Sequence, residues 1–200
     1  KRGMGKQGRL MCGYGSSGKM FRQSAKNGLY GPPLDIPIEE AEEFVRVYRE
    51  DNPQICAQGY GYWAQCGRML SRLAAGDPID WGPLRVENHR IYVGPGRLPM
   101  IYDTLEYYKP SIDELDKYKP HEAKGFWRLK TKNGWKTMWG SKLTQNICEG
   151  VSRVIVSRAM GRIKQRFGIR TLNWPYDELL LLIPKVSDAD QILEGCLEEM

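Results

Sequence analysis

Four residues near the start of the chain are spaced for chemistry. Arg2, Lys6, Leu10 and Tyr14 recur every four positions. If Arg2 to Cys12 is a helix, side chains four apart stack on one face. That face would carry two cations, then an apolar residue, then an aromatic at the helix end. Gly13 and Gly15 would stop the helix. Two cations one turn apart suit a polyphosphate. An apolar residue and an aromatic beyond them suit a sugar and a base, so the ladder has the chemical order of a nucleoside triphosphate. The same spacing also occurs on ordinary solvated helix faces. Gly3, Gly5 and Gly8 lie inside the proposed helix, and each costs about 0.8–1 kcal/mol relative to Ala. Packing, or a ligand approaching the backbone closely, must therefore hold this helix.

Two phosphate-loop patterns overlap it. Gly13-Tyr14-Gly15-Ser16-Ser17-Gly18 fits G-x-G-x-x-G, and Gly13 to Lys19 fits G-x-x-x-x-G-K. Both need a strand before the glycines and a helix after them. The preceding residues have no β-branched member and no period-two pattern, and Met20 stands where the P-loop needs Ser or Thr for magnesium. A second chemical pair lies far downstream. Asp177 and Glu178 precede the apolar run Leu179 to Ile183. Adjacent strand residues point to opposite faces, so one carboxylate can face a site while the other turns away. Their functional reading is magnesium, a hard cation that takes carboxylate and phosphate oxygens. An acidic pair at a strand end is also common without any such role.

The elements that must position these residues follow from periodicity. Lys19 to Asn27 reads as a short helix ending at Gly28, followed by a Gly-Pro-Pro loop. Pro37 starts a helix with Glu39 and Glu40 in its first turn. Pro53 opens another, expected to run to about Ala75. Short strands are expected at Arg90 to Val93 and Leu98 to Tyr102. Phe126 to Thr131 and Trp135 to Trp139 flank Lys132-Asn133-Gly134, a strong hairpin signal. Leu143 to Phe167 is a helix with one apolar stripe through Leu143, Ile147, Val151, Val154, Ile155, Ala159, Ile163 and Phe167. Ile169 to Leu172 reads as a strand, Asn173-Trp174-Pro175 as a turn, and Leu179 to Ile183 as a buried strand. Ser187 is placed to cap a last helix.

The chain has 30 basic and 24 acidic residues, a net charge of +6. This mild excess is compatible with a polyanionic partner and with plain solubility. Residues 1–26 contain no acid, residues 124–170 are strongly basic, and the last fourteen are acidic. Five scattered cysteines with no C-x-x-C pair indicate neither a disulfide framework nor a zinc site. Reduced thiols in a cytoplasmic compartment are the simple expectation. No apolar run is long enough for a membrane span. The chain opens on Lys1, already within a motif, and reads as a portion of a longer protein.

Taken together, these stretches resemble the family A DNA polymerases, especially the bacteriophage branch. Arg2-x-x-x-Lys6-x-x-x-Leu10-x-x-x-Tyr14-Gly15 resembles motif B, on the fingers helix that grips the incoming nucleotide. Trp139-Gly-Ser-Lys-Leu-Thr-Gln145-Asn-Ile-Cys-Glu149 resembles the start of the long palm helix that tracks the primer–template. Tyr176-Asp177-Glu178 resembles motif C. The resemblance implies an α+β fold: helical fingers over about 1–138 and, over 139–200, part of the antiparallel palm sheet of a right-hand polymerase. It implies template-directed addition of deoxynucleoside triphosphates to a primer 3′-hydroxyl by a two-metal mechanism. Arg2 and Lys6 would hold the triphosphate, Leu10 would pack by sugar and base, and Tyr14 would stack at the insertion site. Asp177 would bind Mg2+ with Glu178 beside it, and Gln145, Glu149 and Tyr176 would meet the primer–template DNA.

The departures bear on this. Motif C usually opens with His where Tyr176 stands. Leu10 replaces the more usual Phe or Tyr, and Glu149 replaces Gln. Motif A, with the other metal-binding aspartate, is absent, as are thumb and exonuclease segments. The second ligand set for two Mg2+ ions is therefore expected from an upstream polymerase segment, and the 200 residues alone are expected to be inactive. Two alternatives stay open. One is a non-catalytic basic DNA-binding module, and the other is a P-loop nucleotide-binding protein using Gly13 to Lys19.

Overall fold

The computed structural model describes residues 2–82, 84–94, 99–174, 178–186 and 188–200, with Arg2 by its backbone alone. The fold is α+β. Seven α-helices are described: α1 (Arg2–Gly13), α2 (Gly18–Lys26), α3 (Ile38–Asp51), α4 (Pro53–Cys56), α5 (Tyr62–Ala75), α6 (Gly140–Phe167) and α7 (Ala189–Glu198). The described strands are β1 (Ile79–Trp81), β2 (Leu84–Glu87), β3 (Arg90–Val93), β4 (Met100–Ile101), β5 (Glu106–Tyr108), β6 (Phe126–Thr131), β7 (Gly134–Met138), β8 (Thr171–Asn173) and β9 (Leu180–Leu181). They form sheets in the orders β1-β2-β3-β4, β5-β6-β7 and β8-β9. The chain divides into two compact units. The first is Lys1–Ile79, Val86–Arg90 and Ile101–Asn146; the second is Asp80–Arg85, Ile91–Met100 and Ile147–Met200. These units interleave along the sequence.

In the first unit, α1, α2 and α3 close around Met11, Cys12, Phe21, Ala25, Ile36, Ala41 and Val45. Packing is what holds the glycine-rich α1. A Cβ on Gly8 would come within 2.6 Å of Phe44 Cζ, so the glycine lets the ring lie directly on the helix. The Gly-Pro-Pro loop is tied back by Gln7 Nε2 donating to the Pro32 carbonyl (2.9 Å) and Arg22 Nε to the Ile36 carbonyl (3.0 Å). The helix expected over 53–75 is instead broken. α4 stops at Cys56, Gly59 has φ +93°, and α5 begins only at Tyr62. The Gly-Tyr-Gly run outweighs the helical spacing on either side of it. The expected hairpin is present, with Thr131 paired to Gly134 and Trp127 to Met138.

The start of α6 also belongs to the first unit. Gly140 lets it sit against α5, since a Cβ there would lie 2.8 Å from the Trp63 carbonyl carbon. Thr144 Oγ1 donates to Cys66 Sγ (3.3 Å).

In the second unit, the C-terminal half of α6 packs with the β8–β9 hairpin and α7 around Ile163, Ile169 and Cys196. Arg162 Nε and Arg166 Nη1 reach the Glu199 carboxylate at 2.8 and 3.0 Å. The single apolar stripe expected along α6 is corrected. Leu143 and Ile147 are buried in its first half, whereas Val156, Ala159 and Ile163 are buried in its second. At about 100° per residue, these two sets lie on nearly opposite sides of the helix, and Ile155 on the expected stripe is 53% exposed. The run Leu179 to Ile183 is likewise not buried on both faces. Leu179, Leu181 and Ile183 pack inward, while Leu180 and Leu182 are exposed. The proposed Ser187 cap lies outside the described residues, and Asp188 is the residue at the N-cap of α7.

Candidate nucleotide site

The face of α1 that packs on the other helices carries Met4, Gln7, Gly8, Met11 and Cys12. The opposite face carries Lys6, Arg9 and Leu10, all exposed, with Leu10 at 41%. The ladder therefore stands on an open helix face, with Arg2 in the first turn of the same helix. Arg9 extends the cationic row. Strict four-residue spacing passes over it, although its i+3 relation to Lys6 places it beside that residue.

Tyr14 follows the helix and is half-buried. The turn there is closed by Gly15 N–H donating to the Cys12 carbonyl (3.0 Å) and Ser16 N–H to the Met11 carbonyl (3.3 Å). Gly15 has φ +82°, a conformation costly for any residue with a Cβ. It also lies against the start of α6, where a Cβ would meet Ser141 Cβ at 2.7 Å. Ser141 is buried and its Oγ accepts a hydrogen bond from Trp139 Nε1 (2.7 Å). Next to Ser141, Lys142 Nζ donates to Gln145 Oε1 one turn on (2.9 Å). Lys6, Leu10, Tyr14 and Gln145 thus belong to one unit, in which the end of α1 touches the first turn of α6. The spacing of the ladder does not reveal that contact, because Gly15 and Ser141 are far apart in sequence.

The remaining candidates lie elsewhere. Glu149 is exposed on α6, and Glu178 is exposed just before Leu179, both in the second unit. Tyr176 and Asp177 lie outside the described residues. The β8–β9 hairpin itself is antiparallel, pairing Thr171 with Leu181 and Asn173 with Leu180.

Cys12, inside the ladder, is a packing group. Burial pushes its thiol up to about 11 although Arg49 opposes this, so it is protonated and a poor nucleophile near neutrality. Among the described residues, no three His, Cys, Asp or Glu side chains gather as a metal centre. An exposed Glu178 alone does not fit two magnesium ions. Among the described residues, no helix is long and apolar enough to cross a membrane. The strand that either phosphate-loop pattern requires before Gly13 is replaced by α1. Comparisons of the chain with protein families, curated proteins and solved structures give no match.

Proposed function

We propose that this chain supplies the nucleotide-gripping fingers and the later palm of a template-directed DNA polymerase of the family A kind. The observation that carries the reading is the open face of α1, with Lys6 and Leu10 exposed and Tyr14-Gly15 anchored against α6. In this reading Arg2 and Lys6 take the triphosphate, with Arg9 as an added cation. Leu10 meets sugar and base, and Tyr14 closes the insertion site. Gln145, Glu149 and Tyr176 meet the primer–template DNA. Asp177 contributes to a magnesium site whose other ligands come from an upstream segment, with Glu178 beside it. A two-stranded sheet is marginal alone, and the exposed Leu180 on β9 and Leu182 just after it favour a further palm element as partner. The P-loop alternative is disfavoured by the helix before Gly13.

Two experiments test this. The first titrates a deoxynucleoside triphosphate and the matching nucleoside against the chain and its Lys6→Ala variant. A charge-assisted contact is worth about 1.5–3 kcal/mol. Lys6 is exposed, so the lower end applies, and the triphosphate should lose about tenfold in affinity while the nucleoside is unchanged. Equal loss for both ligands overturns the assignment of Lys6. The second is primer extension with magnesium. The 200 residues alone should be inactive, the chain joined to its upstream coding sequence active, and Asp177→Asn in that longer protein inactive. Extension by the Asp177→Asn protein overturns the metal role. Binding of DNA without any discrimination of triphosphates would instead mark a non-catalytic basic module.

A further inference from the structure

The β5-β6-β7 sheet has no part in the nucleotide site, yet it carries an unusual surface. Cross-strand register fixes its faces. Glu106 pairs with Arg128, Tyr108 with Phe126, and Lys130 with Trp135. Alternation along β6 then puts Tyr108, Phe126, Arg128, Lys130 and Trp135 on one face. On that face the Arg128 guanidinium is sandwiched. Its Cζ lies 3.5 Å from the Tyr108 ring centroid and 4.2 Å from that of Trp135. Glu106 fixes the same guanidinium from the side, with Nη2 to Oε1 at 2.6 Å.

The Glu106 carboxylate neutralises Arg128, and the stack on its guanidinium holds the Trp135 indole in place, while 44% of Trp135 remains exposed. Lys130 stands directly across from it, and Lys132 sits in the hairpin turn; both are exposed. Residues 126–139 contain no carboxylate, so among the sheet's residues on this face only Glu106, already paired with Arg128, opposes Lys130; Lys136 lies on the other face of the sheet. A pre-set aromatic plane flanked by lysines matches a ligand that offers flat rings and regularly spaced negative charge.

We propose that this sheet face binds single-stranded nucleic acid, with a base stacking on Trp135 and phosphates meeting Lys130 and Lys132. A single strand is specified because a duplex keeps its base faces inside the stack, where Trp135 has no access to them. Stacking of this kind tolerates any base, while the lysines follow the backbone. Fixing the indole beforehand removes part of the ordering cost of binding. The site stands independently of the polymerase reading, since it uses none of the residues assigned there.

The test is fluorescence anisotropy of a labelled twelve-residue oligothymidylate against the whole chain at low salt, with a twelve-base-pair duplex as comparison. Trp135→Ala should weaken oligothymidylate binding by about tenfold or more, and Trp135→Phe should recover most of that loss. The duplex should be indifferent to both changes. Tyr60→Ala, at an aromatic 64% exposed in the α4–α5 connection, should leave oligothymidylate binding unchanged. Lys130→Ala with Lys132→Ala should flatten the dependence of log K on log salt by about 1.4, at roughly 0.7 per phosphate contact of a single strand. Photo-crosslinking of an iodouracil oligonucleotide to the unmutated chain should place adducts within 126–138, which keeps the test valid if a variant folds poorly.

Wild-type affinity in Trp135→Ala, a Trp135→Phe variant as weak as Trp135→Ala, or adducts confined to other segments would overturn the proposal. So would capture of a protein or an anionic vesicle in place of any oligonucleotide. Failure of the triphosphate titration alone refutes the Lys6 assignment and leaves this site standing.

Discussion

Substituting alanine for glycine at two points in α1 separates packing from ligand approach as the cause of its glycines. Around Gly5 a new Cβ meets nothing within 4 Å. Gly5→Ala should therefore show the bare helix-propensity gain of about 0.8–1 kcal/mol. At Gly8 the same methyl would drive into the Phe44 ring, 2.6 Å from Cζ and 3.0 Å from Cδ1. Phe44 has little freedom to retreat without loss, because its ring contacts Phe21 at a centroid distance of 5.3 Å and Phe21 is fully buried. Overpacking of this kind costs about 1–3 kcal/mol, and the direct overlap with the ring places it toward the upper end. After the propensity gain of about 1 kcal/mol, Gly8→Ala should lose about 1–2 kcal/mol.

The assay is urea unfolding followed by circular dichroism on the wild type, Gly5→Ala, Gly8→Ala and Gly8→Ala combined with Phe44→Leu. The two single variants should move the midpoint in opposite directions. The double variant should recover part of the Gly8→Ala loss, since Leu frees the space the ring occupied. If Gly8→Ala stabilises the protein as Gly5→Ala does, Phe44 does not rest on α1 and the packing account of this helix is wrong. Stabilisation by Gly5→Ala with weakened triphosphate binding would add that a ligand approaches the backbone at Gly5.

Two further predictions concern titratable groups. Alkylation of the native chain by iodoacetamide at pH 8 should label the exposed Cys148 before the buried Cys12, whose thiol is pushed up to about 11 by burial; mass spectrometry of digested samples reads the order, and labelling of Cys12 ahead of Cys148 would contradict the packing of α1. Hydrogen bonds from Arg166 and then Arg162 hold the Glu199 carboxyl below the usual range, so its ionised form stabilises the fold above the ordinary glutamate value and that contribution fades as pH falls through the lowered one. Urea midpoints of wild type and Glu199→Gln should therefore differ at pH 6 and converge at low acid pH, and a gap that widens toward acid would reverse the sign of this argument.

The ladder on α1 was readable because chemical type and helical period coincide there: polar positions recur at the spacing of one face, and Met4, Met11 and Cys12 fall on the other. The β6–β7 hairpin was readable for a similar reason, since Asn133-Gly134 and its flanking runs act over a few residues. What escaped depended on partners distant in the chain. The turn between β2 and β3 uses Asn88 at φ 49° and His89 at φ 60°, and His89 lies within 3.1 Å of the Leu73 carbonyl through Nδ1. Asn-His gives a weaker local signal than Asn-Gly, so β2 has no counterpart among the strands expected from the sequence.

Along α6 the apolar residues satisfy one continuous stripe on paper, yet the buried apolar residues of its two halves lie on nearly opposite sides. Periodicity reports which faces can be buried and is silent about which partner comes to them. The same logic governs the nucleotide site. Side-chain order along α1 proposes what could bind, but only the close approach of Gly15 to Ser141 ties that order to the helix bearing Gln145. Gly15 thus has a structural duty beyond helix termination. A Cβ there would both strain φ and push the end of α1 off α6, moving Tyr14 with it.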